Sequence, residues 1–476
     1  MRKRIPYLGL ALCWACGGTS SNPHFGDTTL VSAASPFVPG CGGAGQPGVN
    51  HPGGEVEPYV AADPSDPNHF IVSWQQDRWS NGGSHGIATA ATFDAGKTWT
   101  RAVAPVSRCG GGGATADYER ASNAWVTIDA AGKAYLGAIS FDATTPRSAI
   151  LVSRSDDGGR SWGQPTSIIA DDTLGVLNDK QAITADPTDP ARVYIVWDRV
   201  TNLNDPNSAN GSGPALFSAL NADGSWTAPA AIYDPGTNAQ TISNQLVVLP
   251  DGTLGDLFLH LTDFTLAVPN RRLEIATSPD HGATWSAPIP IAAAEDVGVF
   301  DRDANVAVRG GDFIPDIAVD PKAGTLYVAW EDGRFSGGDH EGIALSVSVD
   351  KGQTWSAPRQ VNQVPSVPAF EPKVSVSSTG AVGLLYADLR DDKASDGAFT
   401  TSFWLAISND QGAHWTETQV GADFDLRGAD FVGLYFLGDY QGLAPAGAGF
   451  MTVVAATTGN PSDQTDIFAS PFLGSP

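Results

Sequence analysis

One short phrase recurs along this chain and limits what it can fold into. It reads SVDKGQTW at 348–355, and close variants read TFDAGKTW, SRSDDGGRSW, SPDHGATW and SNDQGAHW. A shortened copy, NADGSW, sits in the one gap. The tryptophans that end these phrases are Trp99, Trp162, Trp226, Trp285, Trp355 and Trp415, spaced by 63, 64, 59, 70 and 60 residues. Each phrase is a turn that can satisfy itself. In SVDKGQTW, Asp350 can accept backbone N–H groups, Gly352 can take a positive φ, and Thr354 can bond locally. The tryptophan then needs an apolar surface to pack on. A period near 63 residues is too long for a helical solenoid and suits a four-stranded propeller blade.

A second phrase precedes each turn. EPYVAADPSDPNHFIVSWQQDR, KQAITADPTDPARVYIVWDR, IPDIAVDPKAGTLYVAWEDGR and EPKVSVSSTGAVGLLYADLR each hold two apolar runs around a proline- or glycine-marked turn. That pattern predicts a hairpin of two inner strands. A third strand such as GIALSVSV leads into the repeated turn, and a fourth such as SAPRQV leaves it. The 54 glycines and 33 prolines fit many tight turns, and no stretch shows long helical periodicity. Six full periods end near Val420. The remaining tail holds two inner-type runs and a third strand but lacks the turn, so a short strand within TTLVSAASPF is expected to close the ring. The expected fold is a single all-β propeller of four-stranded antiparallel blades, seven favoured with six the alternative. Its first strands are expected near Tyr59, Trp125, Ala182, Leu246, Ile317, Val374 and Leu443.

The chain begins MRKR, followed by the apolar run IPYLGLALCWAC. This reads as a secretory leader, too short to span a bilayer stably. The WACGG that ends it resembles a bacterial lipoprotein cleavage site, with Cys16 as the lipidated residue. A plain signal peptide is the alternative. The expected organisation is a leader at 1–16, a linker at 17–54 with the closing strand, and the propeller at 55–472. The protein is expected outside the cytoplasm, secreted or held to the bacterial cell envelope by a lipid anchor, as a monomer. With 52 acidic against 27 basic residues, the formal charge is −25. Such a surface repels phosphate backbones and argues against nucleic acid as a partner. Beyond the leader only Cys41 and Cys109 remain, and a pair of loop cysteines in an exported chain points to a disulfide.

In a propeller, the start of each innermost strand and the end of each second strand converge at one mouth of the axis. The starts offer Glu57, Asp179, Lys180, Glu371, Asp439 and Tyr440. The ends offer Asp77 with Arg78, Asp198 with Arg199, Glu331 with Arg334, and Asp388 with Arg390. Repeated acid–arginine pairs can also be ties between blades. Three long, uneven loops reach the same mouth: VSRCGGGGATADYERA, AEDVGVFDRDANVAVRGGDF and ADFDLRGADFVGLYFLG. Such loops on a rigid scaffold usually carry function.

The S-x-D-x-G-x-[ST]-W phrase resembles the Asp-box, or BNR repeat, of sialidases and related propellers. That resemblance covers most of the mature chain. It implies a glycan partner and a clamp of three arginines on the sugar carboxylate, for which Arg78, Arg334 and Arg390 stand. It further implies a tyrosine nucleophile paired with a glutamate, here Tyr440 with Glu371, and an acid–base aspartate, here Asp339. The Phe/Tyr-Arg-Ile-Pro signature of that family is absent, and the comparable strand starts read EPYVA and FIPDI. The function expected from the resemblance is an exported sialidase-like glycoside hydrolase acting on terminal acidic sugars. The alternative is an adhesion propeller that binds glycan or protein without catalysis. No cofactor is required by this reading. Ca²⁺ is an option at DLRDDKASDG, where Asp388, Asp391, Asp392 and Asp396 supply hard oxygen ligands, although a solvated acidic loop explains the same residues. The eight histidines show no zinc-ligand spacing.

Overall fold

In the first period, Glu55–Ala62, Phe70–Arg78, Ser84–Thr92 and Thr100–Ala104 pair in order as an antiparallel meander. All nine residues of Phe70–Arg78 are buried. A strand enclosed on both faces reads as a continuous apolar run, as FIVSW does here. The same meander recurs from Arg120–Ile128 to Thr166–Asp171, from Leu177–Ala185 to Ala230–Tyr233, and from Ala239–Val248 to Ile289–Ala293. Two more run from Asp316–Val319 to Arg359–Gln360 and from Ala369–Val376 to Thr416–Asp425. The C-terminal sheet holds Gly442–Ala446, Gly449–Asn460 and Asp463–Leu473. Its outer edge comes from the other end of the chain, where His24–Phe25 and Thr29–Leu30 pair with Asp463–Leu473.

This computed structural model describes residues 24–202, 211–264, 270–311 and 314–474. Cys16 and the rest of the expected leader at 1–16 lie outside the described residues. Among the described residues helix is limited to 3-10 turns of three or four residues. Each first strand packs on the first strand of the next meander, and Gly442–Ala446 packs on Glu55–Ala62. The chain is all-β, with its sheets arranged in the manner of a β-propeller. The residues expected on first strands, Tyr59, Trp125, Ala182, Leu246, Ile317, Val374 and Leu443, all lie on them.

The repeated turn connects the third and fourth strands, so it lies at the end of the molecule opposite the first-strand starts. Its geometry repeats closely. Ser348 donates its hydroxyl to Asp350 Oδ1 at 2.8 Å and accepts the Gly352 N–H at 2.9 Å. Asp350 in turn accepts the N–H and hydroxyl of Thr354, at 2.9 and 2.6 Å. Where the chain has His414 in place of threonine, its Nδ1 meets Asp410 at 2.7 Å. The turn also reaches the preceding meander. A Cβ on Gly282 would come 2.3 Å from the Phe217 ring, and one on Gly96 would come 2.9 Å from Met451 in the C-terminal sheet. The turn is therefore a scaffold joint.

Two features cover the other end. Four short strands, Val299–Asp301, Val306–Arg309, Tyr435–Phe436 and Asp430–Phe431, make a small extra sheet from two of the long loops. The N-terminal arm is pinned beside it. Cys41 and Cys109 are joined by a disulfide, with Cα atoms 5.1 Å apart. Buried Arg120 donates to the Pro47 carbonyl at 2.7 Å and to Gln46 at 2.8 Å.

Candidate functional site

Five first strands open with the same irregularity. Register shifts between Val56 and Tyr59, Ser122 and Trp125, Asp179 and Ala182, Ile242 and Gln245, and Phe370 and Lys373. At each bulge a non-glycine residue has positive φ: Glu57 at 55°, Asn123 at 52°, Lys180 at 49°, Ser243 at 62° and Glu371 at 54°. A left-handed residue with a side chain costs energy and persists only where its surroundings hold it. Here carboxylates from second strands hold two of them. Asp198 accepts the Ser243 N–H at 2.9 Å, and Glu331 accepts the Glu371 N–H at 2.7 Å. Those two acids are ties between meanders.

The bulges turn polar side chains toward the axis, where Asp439 is the centre. It is buried and accepts Arg309 Nε and Nη2, each at 2.5 Å, as well as the Lys180 ammonium. Burial alone would raise its carboxyl, but Lys180 and Arg309 outweigh that and hold it well below the usual range. Glu57, whose Oε2 accepts from Gln75, goes the other way. Burial and the Asp439 charge raise its carboxyl. The fit is close, since a Cβ on Gly438 would fall 2.7 Å from the Glu57 nitrogen. Above this floor lies a cavity of about 430 Å³, lined by Asp179, Lys180, Arg309 and Asp439, with Ile242 and Phe300 among its apolar walls. Asp179 accepts the Lys180 N–H at 2.8 Å.

The expected site residues separate on this geometry. Arg78 is buried and absent from the cavity lining: it donates to the Gly83 carbonyl at 2.8 Å, and its guanidinium lies 4.9 Å from the centre of the Phe436 ring, on which Arg309 also lies at 5.2 Å. Arg334 and Arg390 are not brought to the cavity either. Arg334 forks onto Asp332 at 2.7 and 2.8 Å, while Arg390 pairs with Asp388 and Glu417 and lies 3.6 Å over Trp404. Both are tied down beside their own second strands, so the three-arginine clamp is not assembled. Tyr440 is enclosed, edge-on to Trp125 at 5.8 Å and Tyr59 at 6.2 Å, and burial drives its hydroxyl far above the ordinary phenol range. Such a phenol does not ionise easily. Glu371 accepts from Gln441 at 2.6 Å, so the neighbour of Tyr440, not Tyr440 itself, holds it. Asp339 is 67% exposed on an outer turn, beside His340 at 3.1 Å and Arg302 at 3.5 Å, and is absent from the cavity lining. In the acidic loop, Asp388 is engaged by Arg390 and Asp392 accepts the Thr400 N–H at 2.9 Å. Among the described residues no three His, Cys, Asp or Glu side chains gather as metal ligands.

Arg309 is the residue that periodicity missed. It lies in the insertion AEDVGVFDRDANVAVRGGDF, outside any repeat position, and the length of that loop was its only signal.

Fold and site together describe an all-β protein of propeller type with a charged cavity at one mouth of its axis. No protein-family model matches the chain, and no curated protein matches it in sequence. Among solved structures it is similar to the Hadza microbial sialidase Hz136, at 15% identity and a TM-score of 0.49, over 85% of this chain and 76% of that one. It is also similar to the α-L-arabinanase of Penicillium chrysogenum, at 13% identity and a TM-score of 0.46, over 74% and 94% of the two chains. A third is the sialidase NanB of Streptococcus pneumoniae, at 9% identity and a TM-score of 0.47, over 88% and 94%. These neighbours are glycoside hydrolases. What this chain does must come from its own side chains.

Proposed function

We propose that the protein is an exported glycoside hydrolase acting in the 430 Å³ cavity of a seven-bladed ring, closed by its N-terminal strands. The observation that carries this reading is a pair of carboxylates, Asp179 and Asp439, lining one cavity together with Lys180 and Arg309, the two cations that pair with Asp439. Glycosidic cleavage needs one carboxyl to protonate the leaving oxygen and one carboxylate to face the positive anomeric carbon. Asp439, fixed as an anion by Lys180 and Arg309, fits the second role. Asp179 fits the first: it gives its proton to the leaving oxygen as the C–O bond breaks and takes one back from the attacking water. Glu57 packs close to the same strand start, and burial, with the Asp439 charge, raises its carboxyl. Arg309 is 42% exposed and is the cation that a sugar carboxylate would meet, so preference for acidic sugars depends on it.

The test is a panel of fluorogenic glycosides, acidic and neutral, including a sialoside. Turnover of one of them by the wild type, lost in Asp179→Asn and Asp439→Asn with the fold intact, supports the hydrolase. Arg309→Ala should raise KM for acidic members more than for neutral ones. Equal turnover by wild type and both carboxylate variants would remove the site. A second reading, a glycan-binding propeller without catalysis, draws on the dispersed arginines and the enclosed Tyr440. Saturable glycan binding with no turnover would favour it.

A further inference from the structure

The segment that leads from the fourth meander into the extra sheet is anchored firmly. Arg271 pairs with Asp296, the Glu295 carbonyl accepts the Gly333 N–H at 2.6 Å, and Glu341 Oε1 accepts the N–H groups of Val297 and Gly298, the latter at 2.7 Å. Phe300 follows on the edge strand Val299–Asp301. Its two neighbours there are buried, yet Phe300 is 52% exposed and lines the cavity. The ring lies over Gly298, which has a φ of 75°, and a Cβ at that position would come 3.3 Å from the Phe300 Cε2. Backbone and glycine together present a bare aromatic face from a fixed base.

Phe436 on the same sheet is fully buried, and Phe431 on its opposite edge is exposed but lies outside the cavity lining, so Phe300 is the ring of this sheet that is both exposed and at the cavity. An exposed ring at the lip of a polar cavity suits a ligand with an apolar face beside its hydroxyls. Sugar rings have such a face of C–H groups. We propose that Phe300 is a stacking platform for a second sugar ring, outside the ring held by Asp179, Lys180, Arg309 and Asp439, so that the preferred ligand is an oligosaccharide. This rests on the glycan reading of the cavity. A volume of about 430 Å³ lies within the range that accepts drug-sized ligands, and so is not confined to one monosaccharide. Preorganisation matters here, because a platform already in place is not ordered at the expense of affinity.

The experiment is calorimetric titration of wild type, Phe300→Ala and Phe300→Trp with two pairs of probes: N-acetylneuraminic acid against 3′-sialyllactose, and arabinose against arabinotriose. The expected result is that in one pair the oligosaccharide binds wild type about tenfold more tightly than its monosaccharide, an aromatic contact being worth about this much. Phe300→Ala should lose most of that difference, weakening the oligosaccharide several-fold more than the monosaccharide, while Phe300→Trp should keep it. If mono- and oligosaccharide bind alike, or Phe300→Ala weakens both equally, the platform is wrong while the glycan site stands. If no probe binds the wild type, the platform and the glycan reading fall together.

Discussion

Asp439 shows how a charge can be kept in the interior of this molecule. Its carboxylate is buried, and only the two cations it binds make that tolerable. Asp439→Asn should therefore destabilise the fold by about 3 kcal/mol, since it strands Lys180 and Arg309. Adding Lys180→Met should recover part of the loss, as read from denaturant midpoints. Asp430 makes the opposite case. It is fully buried at the root of the extra sheet, facing Arg78, Asp77 and, at 3.8 Å, His51. Burial outweighs the Arg78 charge and pushes its carboxyl up to about 7. Its folded value exceeds its unfolded one, so the unfolded chain gives up the proton first. Stability is then lost as pH rises from about 4 to about 7, and the full loss remains above that. Asp430→Asn should flatten this part of the pH–stability profile and make the variant more stable than wild type at pH 8. Equal slopes for the two proteins would refute the assignment.

Among the elements, the strand-start bulge and the repeated turn divide the labour between the two ends. The turn is a joint, and its glycine sets how closely one meander meets the next. Gly282→Ala would add strain at a φ of 89° and press on Phe217, so a cost of about 2 kcal/mol is expected in thermal unfolding. Asp350→Ala, on the exposed face of an equivalent turn, should cost less. This division explains what could be read from the amino-acid order. Strand starts recur with the period, so Glu57, Lys180 and Asp439 could be named as neighbours before any coordinates. Arg309 could not, because it comes from an insertion that obeys no period. Arg334 and Arg390 misled for a related reason: position in a repeat fixes where a Cα lies, not whether its long side chain turns to the axis or folds back on Asp332 and Asp388. Tyr440 stands at the right place in the chain, but its aromatic neighbours on other strands decide its chemistry.

At the scale of the whole molecule, the N-terminal arm is bound twice, by strand pairing to residues near 470 and by the disulfide to Cys109. The disulfide spans 68 residues, and a cross-link of that reach is worth about 4 kcal/mol in the chain-entropy view. Replacing both cysteines with serine should lower the melting temperature and leave the strand pairing of residues 24–30 protected from hydrogen exchange. Exchange of those amides at the free-chain rate would show that the disulfide alone holds the arm. The strand pairing also orders events in time. Thr28 meets Ser470 across 442 positions of chain, and Thr29 is among the earliest described residues to be synthesised while its partner Ala469 is among the last. The nascent polypeptide can complete six meanders yet hold an unpaired edge on Asp463–Leu473 until its own beginning returns. Synthesis at about 5–20 residues per second leaves that beginning waiting for tens of seconds, and the slow, long-range step of assembly is the one that comes last.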